Sequence, residues 1–262
     1  MVLLSWNLAG RVRRLPEQVD RVLGAGPDLI CLQELTPTTL PRWREALLDA
    51  GYAGVEHADV DLRSGRVRPL VVLTACREPL TPIRVADVPW SERALAVRSA
   101  DGIEVVNVHS PIGSKPALAK VHTHEAVQRH LATASGRPRI LCGDLNTPRR
   151  ELATGELWTF ARDQWGRLRP DRGERWDQAE LALLRGLEPY GMRDAFRLRH
   201  GHARRELSWK WPRWDGGYRL DHLLVSADFS VAEIDYLHRW RTDGLSDHSP
   251  LVAELDRTAP AA

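Results

Sequence analysis

The sequence is short of the residues that build cross-linked or membrane-spanning proteins. Among 262 residues there are three cysteines, three phenylalanines and two methionines. Cys31, Cys76 and Cys142 lie in separate apolar runs, and none has the CxxC spacing of a zinc or redox site. That excludes a disulfide framework and points to buried, reduced thiols, hence to a reducing compartment. No apolar run reaches the ~18 residues of a membrane-spanning helix. The first residues pass directly into Val2-Leu3-Leu4 and Trp6-Asn7, without a basic leader or a small-residue cleavage site. A cytoplasmic protein with no membrane partner is expected. An excess of charge is missing too: 37 Lys and Arg face 35 Asp and Glu, a net +2, so overall charge selects no partner. No self-similarity at a period of roughly 20–50 residues is present, which excludes a solenoid or propeller.

What is there suits one large α/β domain with a full core: 43% of the residues are hydrophobic. Residues 1–257 are expected to form that domain, as a monomer, with 258–262 as a frayed tail. Apolar periodicity predicts a strand over 2–6, a helix over 15–23 stopped by Gly24 and Gly26, a strand over 28–32 and a helix over 41–50. Strands follow at 52–59, 68–75, 81–88, 93–99 and 103–108, then a helix over 115–134 and a strand over 138–142. Residues 147–175 read as loop, 176–187 as helix and 194–199 as a short helical turn. Further strands are predicted at 207–209, 218–226, 231–240 and 251–255. This order suggests two sheets packed face to face with helices outside.

Polar residues recur where buried strands end. Val2–Trp6 is followed by Asn7, Asp28–Leu32 by Gln33-Glu34, and Ile103–Val108 by His109. Arg139–Cys142 leads through Gly143 to Asp144 and Asn146. Asp221 stands in Arg219-Leu220-Asp221-His222, and Asp247-His248 follows Ser246. Each has a plain structural reading: Asn, Asp and Asn-containing turns satisfy their own backbone, and a histidine can be a bonded core residue. Together they look like one converging site at strand ends, where α/β scaffolds hold their chemistry. The set is rich in oxygen and free of thiolate, which favours Mg²⁺ or Mn²⁺.

Trp6-Asn7, Gln33-Glu34, Asn107-Val108-His109, Gly143-Asp144-Leu145-Asn146, Arg219-Leu220-Asp221 and Ser246-Asp247-His248 resemble, in order, the motifs of the endonuclease/exonuclease/phosphatase superfamily. The resemblance implies a four-layer α/β/β/α sandwich, two mostly antiparallel sheets packed face to face with helices outside, and a divalent-metal-dependent phosphodiesterase. It implies that Glu34, with Asn7 and Asp247, holds the cation. Asp144 orients or deprotonates the attacking water, and Asn146 holds water or phosphate. His248, oriented by Asp221, and His109 contact the phosphate. At 69–74 the chain departs from the exonuclease III pattern by having no tyrosine, and Asn107–Pro111 is nearer the DNase I branch.

The substrate must be read elsewhere. Residues 197–219 carry seven Lys and Arg against two acids, with Trp209, Trp211, Trp214 and Tyr218 among them. Loop 147–175 adds seven arginines against five acids, with Trp158 and Trp165. Cations interleaved with aromatics suit a nucleic-acid backbone and stacked bases. A DNA or RNA endo- or exonuclease is therefore expected. The alternatives are hydrolysis of a phosphoinositide, sugar phosphate or other small phosphate ester, and an inactive nucleic-acid-binding module. His122, His124 and His130 lack the spacing of a zinc helix and read as a solvated face.

Overall fold

A computed structural model describes residues 1–60, 69–113, 118–133, 136–213 and 215–258. The first half alternates strand and helix: β1 (Val2–Asn7), α1 (Leu15–Ala25), β2 (Leu29–Leu35) and α2 (Leu40–Asp49). Then come β3 (Gly54–His57), β4 (Val71–Cys76), β5 (Leu80–Ile83), β6 (Ala94–Ser99) and β7 (Glu104–His109). Helix α3 (Ala119–Leu131) leads to β8 (Arg139–Asp144). The second half has two short ribbon strands, β9 (Arg150–Glu151) and β10 (Leu157–Trp158), then α4 (Glu174–Leu184), β11 (Arg193–Asp194) and α5 (Ala195–His200). A second ribbon, β12 (Trp209–Lys210) and β13 (Gly217–Tyr218), precedes β14 (Asp221–Val225), β15 (Phe229–Tyr236), α6 (His238–Thr242) and β16 (Leu251–Arg257).

One six-stranded sheet has the order β15-β16-β1-β2-β4-β3, the other β11-β14-β8-β7-β6-β5. Each contains one parallel pair, β1 with β2 and β7 with β8, and is otherwise antiparallel. A helix joins each parallel pair, α1 in one sheet and α3 in the other. A parallel pair needs such a crossover, and its two strands then end on the same edge. This is why Asn7 and Glu34 meet, and why His109 lies in register with Asp144.

The apolar residues sort into three layers. Leu3, Leu29, Cys31, Val97, Val105, Ile140, Cys142, Leu223 and Ala253 fill the space between the sheets. Leu4, Trp6, Val22, Ile30, Leu32, Trp43 and Leu47 join one outer face to α1 and α2. Val106, Val108, Val127, Leu131, Leu141 and Leu183 join the other to α3 and α4. The expected four-layer sandwich is what forms. Strand residues pointing to either face are both buried, which is why β1, β2, β7 and β8 are almost continuously apolar. All three cysteines are free and buried.

Several boundaries differ from the sequence reading. Residues 231–240 are not one strand: β15 ends at Tyr236 and α6 carries Trp240 edge-on to Trp6, with ring centroids 5.0 Å apart. A bulge between Val231 and Glu233 also breaks the strand's alternation. The strand predicted over 81–88 ends at Ile83, and Asp87 takes a left-handed φ of 61° that no strand allows. Helix α3 begins at Ala119; Lys115, the predicted start, lies outside the described residues, as do Trp214 and 259–262 of the predicted tail. Among the described residues no helix is long and apolar enough to cross a membrane.

Candidate active site

The ends of β1, β2, β7, β8 and β14 bring the predicted residues to one edge of the sandwich. Asn7 donates from Nδ2 to Asp144 Oδ2 (2.9 Å) and to Glu34 Oε1 (3.2 Å). His109 Nε2 lies 3.3 Å from Glu34 Oε1 and 3.9 Å from Asp144 Oδ2. Asp221, first residue of β14, lies in register with Asp144, and its Oδ2 is 2.8 Å from His248 Nδ1. The other ring nitrogen, Nε2, is 3.9 Å from Asp144 Oδ2. Asn146 donates its backbone N–H to Asp144 Oδ1 (2.9 Å) and its Nδ2 to the Ser110 carbonyl (2.8 Å).

Backbone irregularities aim these groups. Glu34 has φ 59° and Asn146 φ 51°, both left-handed. Asparagine tolerates that region; glutamate seldom does, and such strain collects at functional sites. The β2–β4 register shifts between Leu32 and Leu35, so a bulge turns Glu34 out of the strand's alternation toward the cleft. Gly143 has φ 124° and packs on β7 so closely that a Cβ would overlap the Val108 carbonyl oxygen. It therefore permits a close approach of two strands inside β8, rather than the turn after it. Gly143→Ala is expected to lower stability by about 1–3 kcal/mol through strain alone. Because Asp144 follows directly, kcat is expected to fall as well; urea melts and steady-state kinetics on one preparation check both.

Charges in the site oppose one another. Burial pushes the Asp144 carboxyl up to about 7; the positive His248 and the Asn146 N–H pull it down, while Asp221 and Glu34 add to the rise. Burial lowers the pKa of His248, but the Asp221 and Asp144 carboxylates win and lift it to about 10. His248 is thus a cation at neutral pH, held with Nε2 toward the cleft. Burial, followed by the positive Arg93 and His248, drives His109 well below the usual histidine value. Arg93 stands 3.1 Å from both ring nitrogens of His109. His109 is therefore neutral.

The donor set fits a hard cation. The ligand atoms of Glu34, His109 and Asp144 lie within 4.8 Å of one another, as do those of Asp144, Asp221 and His248. Asp247 accepts from Trp209 Nε1 through Oδ2 (3.2 Å), while its Oδ1 is buried with no hydrogen-bond partner among the described residues. A buried carboxylate oxygen without a partner calls for a counter-charge. Asn7 shows its amide nitrogen to Glu34 and Asp144, and its Oδ1 accepts from Ala9 N (2.9 Å). As a cation ligand it must turn the amide over, exchanging two groups of nearly equal size.

Glu34, Asp144, Asn146, Asp247 and His248 open into a cleft of about 470 Å³. Phe160, Trp209 and Tyr218 form one wall. Trp209 and Tyr218 lie parallel, 5.9 Å apart, with Phe160 and Trp211 edge-on to Tyr218.

Some residues are not where the sequence reading put them. His124 is not on a solvated face: it is fully buried, with Nε2 2.8 Å from Ser110 Oγ and Nδ1 3.2 Å from the Ala179 carbonyl. His130 also faces inward, to Glu104 (2.8 Å). Helix α4 covers this side of α3, a tertiary contact invisible in local periodicity. Arg197 and Arg219 are not surface cations either, because Glu151 neutralises both and Asp194 also binds Arg219. With Arg204 paired to Asp235 and Glu206 as well, four Lys and Arg of the seven in 197–219 are left for solvent or a partner.

The sequence reading missed a second tier. Buried Lys120 donates to the Asn146 carbonyl (2.7 Å) and to Glu180 Oε1 (2.6 Å). Glu180 also accepts from Trp176 Nε1, Thr147 Oγ1 and Phe160 N, tying α3, α4 and two loops beneath Asn146. Gln33 and Asn107 join the sheets by a 2.8 Å bond. Tyr236 and Ser246 bind the backbone carbonyls of Asp221 and Asn7, each at 2.6 Å. Gln33, Asn107 and Ser246 stood inside the quoted motifs, which was their only signal.

The Endonuclease/Exonuclease/phosphatase family model matches residues 4–248. Among solved structures, an AP endonuclease from Archaeoglobus fulgidus is similar at 21% identity and TM-score 0.70, covering 98% of this chain and 99% of that one. A 3'-5' exonuclease from Neisseria meningitidis is similar at 21% identity and TM-score 0.69, covering 98% and 100%. The Xenopus laevis APE2 catalytic domain is similar at 19% identity and TM-score 0.67, covering 100% and 94%. At these identities the likeness shows the fold. No curated protein is significantly similar to the chain in sequence.

Proposed function

The chain belongs to the endonuclease/exonuclease/phosphatase family of metal-dependent phosphoester hydrolases, and from that premise we propose that it is a nuclease. The observation that carries the choice of substrate is the aromatic wall of Phe160, Trp209 and Tyr218 beside the acidic and histidine groups. Ring faces next to a phosphate-handling site suit a nucleobase, and stacking on them is worth about 1–3 kcal/mol per base. The nucleotide partner is held by the basic and aromatic segment 197–219 and by loop 147–175. Two relatives in fold are an AP endonuclease and a 3'-5' exonuclease by name, in agreement with this reading. Its free, buried thiols suit the reducing cytoplasm, where the enzyme is proposed to work as a monomer.

Glu34 and Asp247, with the Asn7 amide turned over, would hold Mg²⁺ or Mn²⁺, which when bound would neutralise charge on the phosphoryl oxygens. Asp144 Oδ2 accepts the proton of the attacking water, whose position Asn146 fixes. His248, kept cationic and oriented by Asp221, stabilises charge that grows on the phosphate. His109 is neutral and contributes a hydrogen bond rather than a charge.

The test is a panel of plasmid, single-stranded DNA, RNA, phosphoinositide and sugar phosphate, each with Mg²⁺, Mn²⁺ or EDTA. Metal-dependent cleavage of a nucleic acid is expected. Release of phosphate from the small esters without any cleavage of nucleic acid sinks the nuclease reading. Glu34→Gln is expected to raise the metal concentration for half-maximal rate by more than the roughly 10–100-fold that outer-sphere partners are worth. An unchanged metal titration would remove Glu34 from the cation site.

A further inference from the structure

A second groove, of about 400 Å³, lies between loop 147–175 and the segment around 202–207. It contains none of the candidate catalytic residues, but Tyr218 lines both it and the catalytic cleft. Its floor is electrically satisfied. Arg219 gives Glu151 two 2.7 Å bonds, and Arg197 adds another from the opposite side. Arg204 reaches Glu206 at 3.5 Å and Asp235 at 2.8 Å.

The rim is different. Arg149 has only a long bond to the Arg162 carbonyl (3.5 Å), and the Arg150 guanidinium lies 5.1 Å from the Trp158 ring. Arg205 is exposed. Among the described residues none of these three makes a salt bridge. Arg149 is still close enough to act on the Asp163 carboxyl: desolvation raises it, but the Arg167 and Trp165 N–H groups and the Arg167 and Arg149 charges hold it below its usual value. Exposed His202 adds a further donor. Three guanidiniums outside any salt bridge, on both sides of a groove, make a place for an anion, and arginine is the side chain best matched to phosphate. The rim is also held in advance. Arg150 is in the β9–β10 ribbon, and Glu151 beside it is clamped by two buried arginines. Little ordering remains to be done on binding.

We infer that this groove is a second phosphate subsite, which takes a backbone phosphate of the strand whose scissile phosphate sits in the cleft. The inference rests on the nuclease reading. It orders the substrate along the surface: phosphate in the cleft, base against Trp209 and Tyr218, next part of the backbone across Tyr218 on Arg149, Arg150 and Arg205. A small phosphate ester fills the cleft alone. A polynucleotide fills both, so the groove sets apparent affinity for long substrates and leaves the chemical step untouched.

The test compares wild type with the triple variant R149Q/R150Q/R205Q on two substrates, a single-stranded oligonucleotide and bis(p-nitrophenyl) phosphate, over a range of KCl concentrations. Arg150 and Arg205 are exposed and half-buried Arg149 has only the long bond to the Arg162 carbonyl, so equal Tm of variant and wild type is the expected folding check, and R149K/R150K/R205K serves as the charge-keeping control. For the oligonucleotide, KM of the Gln variant is expected to rise about tenfold or more with kcat unchanged. The slope of log(kcat/KM) against log[KCl] is expected to become shallower by ~0.7 for each phosphate that is no longer neutralised. Turnover of bis(p-nitrophenyl) phosphate is expected to stay at the wild-type value, and the Lys variant to keep most of the salt slope. If both proteins cleave the oligonucleotide with the same KM and salt slope, the subsite is overturned and the nuclease reading stands. An equal loss on both substrates places the effect in the catalytic cleft and also overturns the subsite. Wild type that hydrolyses the small ester but no nucleic acid overturns both.

Discussion

Asp144→Asn is expected to lower kcat by roughly 10²–10⁴-fold, the range that one positioned proton acceptor supplies. The side chain is central to the site: Oδ2 accepts from Asn7 Nδ2 at 2.9 Å and Oδ1 from the Asn146 N–H at 2.9 Å. An asparagine has nearly the same shape but only one accepting oxygen. It keeps one of these bonds and cannot take a proton from water. Two effects run the other way. Loss of the charge relieves repulsion with Asp221 and Glu34, and it ends the burial of a carboxylate, so stability is not expected to fall. Binding of Mn²⁺ is expected to persist, since Glu34 and Asp247 remain. The measurements are single-turnover cleavage and the Mn²⁺-induced shift in Tm on the same protein. Activity near wild type would remove Asp144 from the mechanism.

The same carboxyl gives a pH expectation. It must be ionised to accept a proton, and burial holds it at about 7. In the metal-free protein its titration is therefore expected near neutrality, far above an ordinary aspartate. A bound cation favours the ionised form and moves the acidic limb of kcat/KM below 7. His248 at about 10 stays cationic across that whole range, so it adds no limb near neutral pH.

Much of this site was legible because it is a property of strand ends. Asn7, Glu34, His109 and Asp144 each follow a run of buried residues, and such runs are visible in sequence. Which ends meet depends on strand pairing. Here that comes from two βαβ units, whose parallel strands share an edge. The four-layer architecture could be expected from the order of elements, but the limits of α6 could not. Trp240 continues an apolar alternation in the sequence, yet packs from a helix onto Trp6. The charged network resisted reading for a related reason. Arg197 and Arg219 look like surface cations until Glu151, some 46 and 68 positions away, is seen beside them. Lys120 and Glu180, 60 positions apart, follow the same rule. Ion pairs that distant have no local pattern. Burial of His124 likewise depends on α4, whose Ala179 carbonyl it meets.

Arg219→Met is expected to cost about 3–5 kcal/mol of stability, the usual result of removing one partner from a buried ion pair. Arg219 donates to Glu151 at 2.7 Å and to Asp194 Oδ2 at 2.5 Å, and its side chain is only 2% exposed. Methionine fills the volume but leaves two carboxylates short of a counter-charge. Arg197 still serves Glu151, and the Arg197 N–H still caps onto Asp194, which keeps the loss within this range. The pH dependence identifies the cause. In wild type burial raises Glu151, but Arg219 and Arg197 outweigh it and hold the carboxyl at about 2; Asp194 is held lower still. Both are depressed from their unfolded values of about 4. Their contribution is therefore complete above pH ~5 and is lost as pH falls through the folded values. In the variant these carboxyls titrate higher, and protonation relieves the burial of charge. The gap in unfolding free energy between wild type and variant should narrow steadily from pH ~5 toward pH ~2. Adding Asp194→Asn and Glu151→Gln to Arg219→Met should recover part of the loss at neutral pH, because the stranded charges are gone. Urea titrations of the three proteins at several pH values measure this. A gap that stays constant with pH would make Arg219 a packing residue and remove the charge network from the account. The network also holds Glu151 against Arg219, two residues before Asp221 at the start of β14. The single variant should therefore lose activity on every substrate, whereas the variant stripped of rim arginines should lose it only on long ones.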